Sequence, residues 1–310
     1  VDDAFIEALD GAKGGMELIN AEQMGDLMAK VPSEIVEAPG GSAGNTIFAL
    51  AKLGVATTFL GKVGNDAAAS FYVNAYKEMG GDGSHFKTGG VPNGRCLSLV
   101  TPDSERTMRT DLGAAMTLAA DEIEDSDFED CQHAHIEGYL LFNPELMQAV
   151  LEAAKNAGCT KSIDLASFEV VNATKDSLTE ILDKHIDIVF ANEEEAAAFC
   201  GKGKSYKEMA RELAKYCRIA VVKLGKEGSL VCENETIHRI EPVNVANVTD
   251  TTAAGDFWAA GFLYGWLKNK SMESAGKCGS ILGAEVVQVM GSVLAPETWD
   301  SVKMKLESLN

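Results

Sequence analysis

The segment NVTDTTAAGDFWAAGFLYGWL, residues 247–267, holds the residues with the clearest potential for chemistry. A helical apolar pattern starts at Phe257, and the small residues before it, Ala253 to Gly255, allow a tight turn. The N-terminus of a helix binds anions through its unpaired amides and its dipole. Asp256 in this first turn would repel an anion, but it can accept a proton from an attacking hydroxyl. A capped helix with small residues for close packing explains the segment equally well.

Three polar residues, Asp250, Thr251 and Thr252, precede this helix. Asp and Thr often cap helix N-termini because their side-chain oxygens accept hydrogen bonds from the first free amides. We therefore expect these residues to end a strand and to cap the helix that follows.

A second glycine-rich loop, APGGSAGNTIFALAKLG, covers residues 38–54 and leads into an amphipathic helix. Gly40 and Gly41 let a ligand approach the backbone, and Ser42 and Asn45 can hydrogen-bond to hydroxyl groups. The loop has neither the GxGxxG order of a dinucleotide loop nor the GxxxxGK[ST] order of a Walker loop. Taken alone, it is more simply interpreted as an ordinary helix entry.

Two further segments place polar residues and glycines after predicted strands. Asn192 and Glu195 follow the apolar run IDIVF, while Lys223, Gly225 and Gly228 follow IAVV. Ligands of open α/β sheets bind at the carboxyl ends of the strands, which favours a binding role for both segments. The simpler alternatives are a glutamate-rich helix start and a β-turn between two strands.

The elements that must position these residues alternate between strand and helix after about residue 113. The strand patterns are AHIEGYL, TKSIDLA, IDIVFAN and RIAVVKLG, and the helical patterns are PELMQAVLEAAKNAG, DSLTEILDKH, EEEAAAFCG and SYKEMARELAKYC. This alternation predicts an α/β fold with a mainly parallel sheet and helices on both faces. The continuous apolar strands agree with a sheet buried on both sides.

One region departs from this alternation. GRCLSLVTPDSERTMRTDLG reads as two strands joined by a turn at Pro102-Asp103-Ser104, and MELI near residue 16 adds a third. These segments predict a small β layer, roughly residues 14–38 and 91–113, set against a single domain spanning residues 1–310. The sequence shows no internal repeat, low-complexity segment or flexible linker.

The composition restricts the partners of the protein. The 310 residues carry 27 Lys and Arg against 47 Asp and Glu, a net charge of −20, which argues against nucleic acid as a partner. A nucleotide site must therefore supply its own local positive potential. No apolar run reaches membrane-spanning length and no signal peptide opens the sequence, so we expect a cytoplasmic protein that does not bind membranes.

The cysteines and histidines show no metal-binding pattern. The seven cysteines are scattered without a CxxC pair, which is typical of reduced thiols in a cytosolic protein. His133 and His135 are two residues apart in QHAHIEGYL, and a strand edge explains this spacing more simply than a pair of metal ligands.

Taken together, the four segments resemble the signatures of the ribokinase family of carbohydrate kinases, also called the PfkB family. GGSAGN resembles its N-terminal signature, DTTAAGD its D-T-x-G-A-G-D signature, NEEE its N-x-x-E motif and KLGKEG its nucleotide-side glycine loop. GSILGAEVVQVMG resembles the last helix of the family, which lies beside the adenine. The resemblance implies a ribokinase-like three-layer α/β/α sandwich with a β-sheet lid. It also implies ATP-dependent phosphorylation of a primary hydroxyl on a sugar or nucleoside.

The resemblance also implies a role for each matching residue. Asp256 would be the catalytic base, next to an anion hole formed by Ala253, Ala254, Gly255 and Asp256, with Arg106 of the lid near the phosphates. The substrate hydroxyls would contact Gly40, Gly41, Ser42 and Asn45. The nucleotide side would comprise Asn192, Lys223, Gly225, Gly228 and Thr251. Mg²⁺ would be organised by Asn192 and Glu195, largely through water, and K⁺ is a further expectation beside Asp250 and Thr252.

Two departures from the family pattern bear on these roles. Ala253 stands where the family usually has Gly, so its methyl group would narrow the anion hole if the backbone needs positive φ there. Family members also usually begin with a strand ending in an Asp that holds the sugar. VDDAFIEAL resembles the stretch just after that strand, and we do not assign the role to Asp2.

Finer resemblances and two rival interpretations remain. FIEAL, HIEGYL and IDIVFANEEEAAAF resemble the adenosine-kinase-like branch, and the family implies a homodimer formed through the lid.

Ala253 and the unmatched first strand favour one rival interpretation, a non-catalytic sugar- or nucleotide-binding sensor on the same fold. A nicotinamide-dependent oxidoreductase needs GxGxxG after the first strand, which the sequence lacks.

Overall fold

The computed structural model describes residues 1–103 and 105–309, so Ser104 of the predicted turn lies outside the described residues. The chain divides into two compact units. The smaller comprises residues 1–40 and 56–118, and the larger comprises residues 41–55 and 119–310.

The strands and helices of the described residues are numbered in chain order. The strands are β1 (Met16–Leu18), β2 (Gly61–Val63), β3 (Phe86–Thr88), β4 (Arg95–Val100), β5 (Arg106–Asp111), β6 (His133–Glu137), β7 (Thr160–Asp164), β8 (Ile188–Asn192), β9 (Ile219–Lys223), β10 (Ser229–Glu233) and β11 (Thr236–Ile240). The α-helices are α1 (Asp3–Glu7), α2 (Ala21–Lys30), α3 (Ser42–Lys52), α4 (Ala67–Glu78), α5 (Pro144–Asn156), α6 (Phe168–His185), α7 (Glu193–Cys200), α8 (Tyr206–Leu213), α9 (Ala254–Leu267), α10 (Met272–Val286) and α11 (Pro296–Glu307).

The larger unit is built on a six-stranded sheet in the order β11-β10-β9-β8-β7-β6. The strands β6 to β9 run parallel, and β10 and β11 are antiparallel additions at one edge. In β7, β8 and β9 nearly every residue is buried, as expected for parallel strands covered on both faces. The predicted α/β class with a mainly parallel sheet is therefore confirmed.

Helix α9 is the centre of the apolar core of this unit. It is buried almost all round, and Phe262 packs edge-on against Phe190 of β8 with ring centroids 5.6 Å apart. A Cβ atom on Gly261 would lie 2.4 Å from the Cys278 carbonyl oxygen, so only glycine lets α9 approach α10 this closely. This packing fixes the position of α9, and therefore of its first turn.

The smaller unit contains a three-stranded sheet in the region predicted as a β layer, although residues 21–30 of that region form the helix α2. Its three-stranded sheet has the order β1-β5-β4, in which β4 and β5 are antiparallel and β1 is parallel to β5. The helices α1 and α2 pack on this sheet through an apolar cluster that includes Ile6, Met24, Leu27, Leu97 and Leu99. A separate parallel pair, β2 and β3, belongs to the same unit.

Several predicted boundaries are wrong. The predicted strand AHIEGYL ends at Glu137 and continues as a 3-10 turn, Gly138–Phe142. Helix α6 begins at Phe168 rather than within DSLTEILDKH, because the Ser167 hydroxyl caps it by accepting from Val170 N. The β-branched residues and Asn in the first turns of α6 have modest helix propensity, so the sequence pattern predicted a helix that is too short.

No helix in the described part of the chain is long and apolar enough to cross a membrane.

Candidate active site

Four adjacent parallel strands end in polar residues at one edge of the six-stranded sheet. The last residues of β6, β7, β8 and β9 are Glu137, Asp164, Asn192 and Lys223. Glu137 lies opposite Asp164 in the strand register, and Asn192 lies opposite Lys223. Ligand sites of parallel sheets form at this edge. Asn192 and Lys223 were predicted from the sequence, whereas Glu137 and Asp164 were missed because they lie inside the predicted strands AHIEGYL and TKSIDLA.

The first turn of α9 begins without a side-chain cap. The predicted cap from Asp250, Thr251 and Thr252 is wrong, because the preceding strand ends far upstream at Ile240 and the N-cap residue is Ala253. Instead, the amide and hydroxyl of Thr252 donate to Oδ1 of Asp250 over 2.9 and 2.6 Å. Asp250 therefore stabilises the loop before the helix and does not cap the helix.

Ala253 adopts a left-handed conformation, with φ 61° and ψ 6°. This conformation costs a non-glycine residue roughly 1 kcal/mol or more, so the backbone here does need positive φ. The amide of Ala254 donates to the Thr251 carbonyl over 3.2 Å to form the turn. The amides of Gly255 and Asp256 follow in the first helical turn, where amides lack intrahelical partners and attract anions.

Helix α3 holds the carboxyl group of Asp256 in place. Nδ2 of Asn45 donates to Oδ2 of Asp256 over 2.8 Å, and the Thr46 hydroxyl donates to the Asp256 carbonyl over 3.1 Å. Burial raises the pKa of Asp256 to about 7, with a further contribution from the carboxylates of Asp164 and Glu137, although the bond from Asn45 opposes the rise. A carboxyl group with this pKa can accept a proton near neutral pH.

The start of α3 is attached to the end of β6. Gly41 is the N-cap residue with φ 92° and ψ 142°, a conformation that favours glycine. The Ser42 hydroxyl donates to Oε1 of Glu137 over 2.8 Å. Burial raises the pKa of Glu137 above its usual range, while the hydrogen bonds from Ser42 oppose the rise. The glycine-rich loop is thus connected to the sheet edge that carries the other polar residues.

Asn192 and Glu195 form a reciprocal capping box at the start of α7. The Asn192 side-chain oxygen accepts from the amides of Glu194 and Glu195, and both carboxylate oxygens of Glu195 accept from Asn192 over 2.8 Å. Glu195 is only 3% exposed, and burial, followed by the charge of Asp164, raises its pKa. The glutamate-rich helix start is therefore real, and it holds the Glu195 carboxylate at the strand ends.

Lys223 and Asp164 form a buried ion pair over the end of β8. Nζ of Lys223 lies 2.7 Å from Oδ2 of Asp164, and their side chains are 13% and 11% exposed. Burial alone would lower the pKa of Lys223, but the carboxylates of Asp164 and Glu195 outweigh it and raise the pKa. A Cβ atom on Gly255 would lie 3.0 Å from the Lys223 Nζ atom, which places this ammonium group beside the first turn of α9.

The other predicted site residues have the following positions. Gly225 and Gly228 flank a single 3-10 turn between β9 and β10, which also fits the β-turn interpretation. Thr251 is exposed in the loop before α9. Gly40 and Arg106 belong to the smaller unit, with Arg106 at the start of β5, and their part in the site stays a prediction.

The acidic residues at the strand ends can serve a metal ion only together with other ligands. Across the described chain, no group of three or more His, Cys, Asp or Glu side chains is arranged to hold a metal. Mg²⁺ commonly binds through one or two carboxylates plus substrate phosphates and water. The buried Glu195 carboxylate, held by Asn192 at the end of β8, fits a Mg²⁺ ion of that kind.

Known kinases share this fold and match this chain over nearly its whole length. The model of the pfkB family carbohydrate kinases matches residues 12–299. The structure of adenosine kinase from Sinorhizobium meliloti has 32% identity and a TM-score of 0.88, covering 98% of this chain and 94% of that one. A probable sugar kinase from Rhizobium etli has 29% identity and a TM-score of 0.88, with 98% and 93% covered. The 5-dehydro-2-deoxygluconokinase of Geobacillus kaustophilus is 28% identical over 261 residues, 78% of each chain.

The family match extends over nearly the whole chain. The protein is therefore a kinase with a ribokinase-like fold, of the class that phosphorylates sugars or nucleosides. The chain belongs to the pfkB family of carbohydrate kinases.

Proposed function

We propose that this kinase transfers the γ-phosphoryl group of ATP to a primary hydroxyl of a sugar or nucleoside, with Asp256 as the general base. One observation carries the proposal. Asp256 lies in the first turn of α9, where free amides favour an anion, and its carboxyl has a pKa of about 7. A structural helix start would place neither a buried acid nor a bond from Asn45 at this point.

The proposed reaction moves one proton and one phosphoryl group. Asp256 accepts the proton of the acceptor hydroxyl while that oxygen attacks the γ-phosphorus. A new phosphorus–oxygen bond forms, the bond to the bridging oxygen breaks, and its electron pair leaves with ADP. The amides of Gly255 and Asp256, with Ala253 and Ala254 shaping the turn, stabilise the negative charge of the transferring group. Because phosphoryl transfer depends mainly on positioning and charge, these groups can perform the step without covalent catalysis.

The remaining assignments follow the family roles. We propose that Asn192 and Glu195 hold Mg²⁺, largely through water, where the ion would neutralise charge on the ATP phosphates. The nucleotide side would comprise Lys223, Gly225, Gly228 and Thr251, with Arg106 approaching the phosphates. Asp250 and Thr252 would lie beside a K⁺ ion.

The acceptor would bind at the start of α3. Gly40, Gly41, Ser42 and Asn45 are the proposed contacts with its hydroxyl groups. Since Asn45 also binds the Asp256 carboxyl, an acceptor hydroxyl at this helix would lie close to the base. The names of the relatives include both adenosine kinase and 5-dehydro-2-deoxygluconokinase, so both a nucleoside and a sugar are candidates.

The test of the reaction is ADP release from Mg-ATP by the purified protein with ribose, fructose, adenosine, inosine or 2-keto-3-deoxygluconate. We expect one acceptor to stimulate ADP release, and ³¹P NMR to show a phosphate ester on its primary carbon. A protein that binds ATP but responds to no acceptor would contradict the proposal and favour the non-catalytic sensor.

We also propose a homodimer formed through the small β layer, as the family resemblance implies. On β1 of that layer, Met16 and Leu18 are 44% and 62% exposed and, being two residues apart, lie on the same face of the strand. Sedimentation equilibrium tests the state of assembly: a dimer that Leu18→Asp converts to a monomer supports the proposal, and a wild-type monomer contradicts it.

A further inference from the structure

The buried ion pair between Asp164 and Lys223 has a position that the proposed function does not by itself explain. The two residues end β7 and β9, and the end of β8 lies between them. Both side chains are largely buried, and the ammonium and carboxylate atoms are 2.7 Å apart. Nothing in the sequence linked Asp164 to the site.

A buried ion pair of this kind contributes little to the free energy of unfolding. Removing two charges from water has a cost that their attraction only partly offsets, so apolar residues of similar volume often stabilise a fold as well or better. A pair at the ligand edge of a parallel sheet therefore indicates a role in the chemistry rather than in folding.

The surroundings of the ammonium group indicate what that role is. Nζ of Lys223 lies against the backbone of Gly255, in the same first turn that carries the proposed base, Asp256. An ammonium group has three donor hydrogens, and Asp164 accepts its one hydrogen bond within the described residues. Two donors therefore remain for oxygens of a group bound at the start of α9.

The geometry points to Lys223 as a catalytic residue that contacts the transferring phosphoryl group, and to Asp164 as the positioning residue that aims its ammonium at the first turn of α9. This inference rests on the proposed function. It goes beyond a nucleotide-side contact, because the positive charge lies where negative charge develops during transfer. Lys223 keeps its proton throughout, and Asp256 alone exchanges one.

Three variants separate this role from folding. Lys223→Met removes the charge and keeps the length of the side chain, whereas Asp164→Asn keeps the shape and leaves the lysine in place. The double variant Asp164→Leu/Lys223→Met replaces the pair with apolar groups and avoids an uncompensated buried charge. Lys184→Met, which removes an exposed lysine of α6, is the matched control. The kcat, the acceptor KM and the melting temperature are measured with the acceptor that wild type uses best.

The inference predicts a defined pattern of rates. Lys223→Met lowers kcat by about 100-fold or more with little change in acceptor KM, because a preorganised group that acts in the transition state is lost. Asp164→Asn lowers kcat by about 10- to 100-fold through misplacement of the ammonium. The double variant melts at or above the wild-type temperature and is no slower than Lys223→Met, since Asp164 acts only through Lys223.

Two results would overturn the inference while leaving the proposed function intact. One is that the Lys223→Met variant has the wild-type kcat while the separate Asp256→Asn variant is inactive. The other concerns the folded double variant. If its kcat is lower than that of Lys223→Met by the same factor by which Asp164→Asn lowers the wild-type kcat, Asp164 contributes independently of Lys223. A wild-type protein that binds ATP and phosphorylates no acceptor overturns the proposed function first.

Discussion

At the scale of single residues, the carboxyl group of Asp256 is held in surroundings that favour its neutral form. Burial raises its pKa to about 7, so the group is largely protonated in mildly acidic solution. A general base must be ionised to act, and kcat/KM for the acceptor should therefore rise with pH through about 7 and then level off. A pH–rate profile with saturating ATP checks this prediction. A midpoint near 4 would show that Asp256 titrates as an ordinary exposed carboxyl.

The left-handed conformation of Ala253 is a second feature at this scale. We expect Ala253→Gly to raise the free energy of unfolding by about 1 kcal/mol, because glycine adopts positive φ without steric cost. Urea denaturation measures the change. As a control, Ala173→Gly on the exposed side of α6 should lower stability by a similar amount, since glycine disfavours a helix interior. A loss of stability in Ala253→Gly would mean that the methyl group makes a contact worth more than the strain.

At the scale of elements, one face of β6 and β7 carries a chain of hydrogen-bonded polar side chains that are buried or half-buried. The ring nitrogens of His133 bond to the hydroxyls of Thr160 and Ser162, and Nδ1 of His135 bonds to the same Ser162 oxygen, all within 2.9 Å. These bonds form between paired strands, so the strand-edge interpretation of the two histidines is confirmed. The chain joins the strands directly below the ends that carry Glu137 and Asp164.

We expect Ser162→Ala to lower the free energy of unfolding by about 1 to 3 kcal/mol, because it removes the buried hydroxyl that bonds ring nitrogens of both His133 and His135. Thermal and urea denaturation at pH 7.5 measure this loss. Ser177→Ala on the exposed surface of α6 is the control and should be nearly neutral. A Ser162→Ala protein as stable as wild type would show that the chain contributes little.

The same histidines make stability depend on pH. Burial lowers the pKa of His133 to about 3 and of His135 to about 4, whereas the unfolded value is 6.5. Below pH 6.5 the unfolded chain binds protons that the folded chain does not, so this contribution to stability is lost as pH falls from 6.5 towards 4. The buried Asp256 opposes it, because its folded pKa is raised and the folded chain binds the extra proton in that window. Replacing both histidines with Gln should flatten the wild-type fall in melting temperature between pH 6.5 and 5, and an unchanged slope would contradict this assignment.

The elements also show which parts of the site the sequence could predict. Strand-helix alternation and apolar strand patterns predicted the sheet, and polar residues after IDIVF and IAVV predicted two of its four polar ends. Glu137 and Asp164 were missed because the patterns AHIEGYL and TKSIDLA place them inside strands, and only the structure shows that they end neighbouring strands opposite each other. The cap of α9 was wrong because Asp250 bonds within its own loop, and local sequence does not distinguish these two uses of an Asx side chain.

At the scale of the whole molecule, acidic residues outnumber basic ones, and the same is true of the candidate active site. With a net charge of −20 and four buried or half-buried acids near one lysine, the strand ends hold little net positive charge for ATP. Under the proposed function, Mg²⁺ bound together with ATP would supply the positive charge that the nucleotide phosphates need. We expect EDTA to abolish phosphoryl transfer and excess Mg²⁺ to restore it, while the melting temperature without nucleotide stays unchanged. A fall in the melting temperature on chelation would show a structural metal site instead.

The most direct test of the central claim compares single-turnover transfer of the γ-phosphoryl group in wild type and Asp256→Asn, with the preferred acceptor at pH 8. We predict a loss of at least about 100-fold in the variant, since a base of this kind contributes about 10²- to 10⁴-fold. The variant should be no less stable than wild type, because a carboxyl with a raised pKa is charged and unfavourably buried above pH 7, and the amide is not. A stable Asp256→Asn protein that transfers the phosphoryl group at the wild-type rate would contradict the assignment of Asp256 as the base.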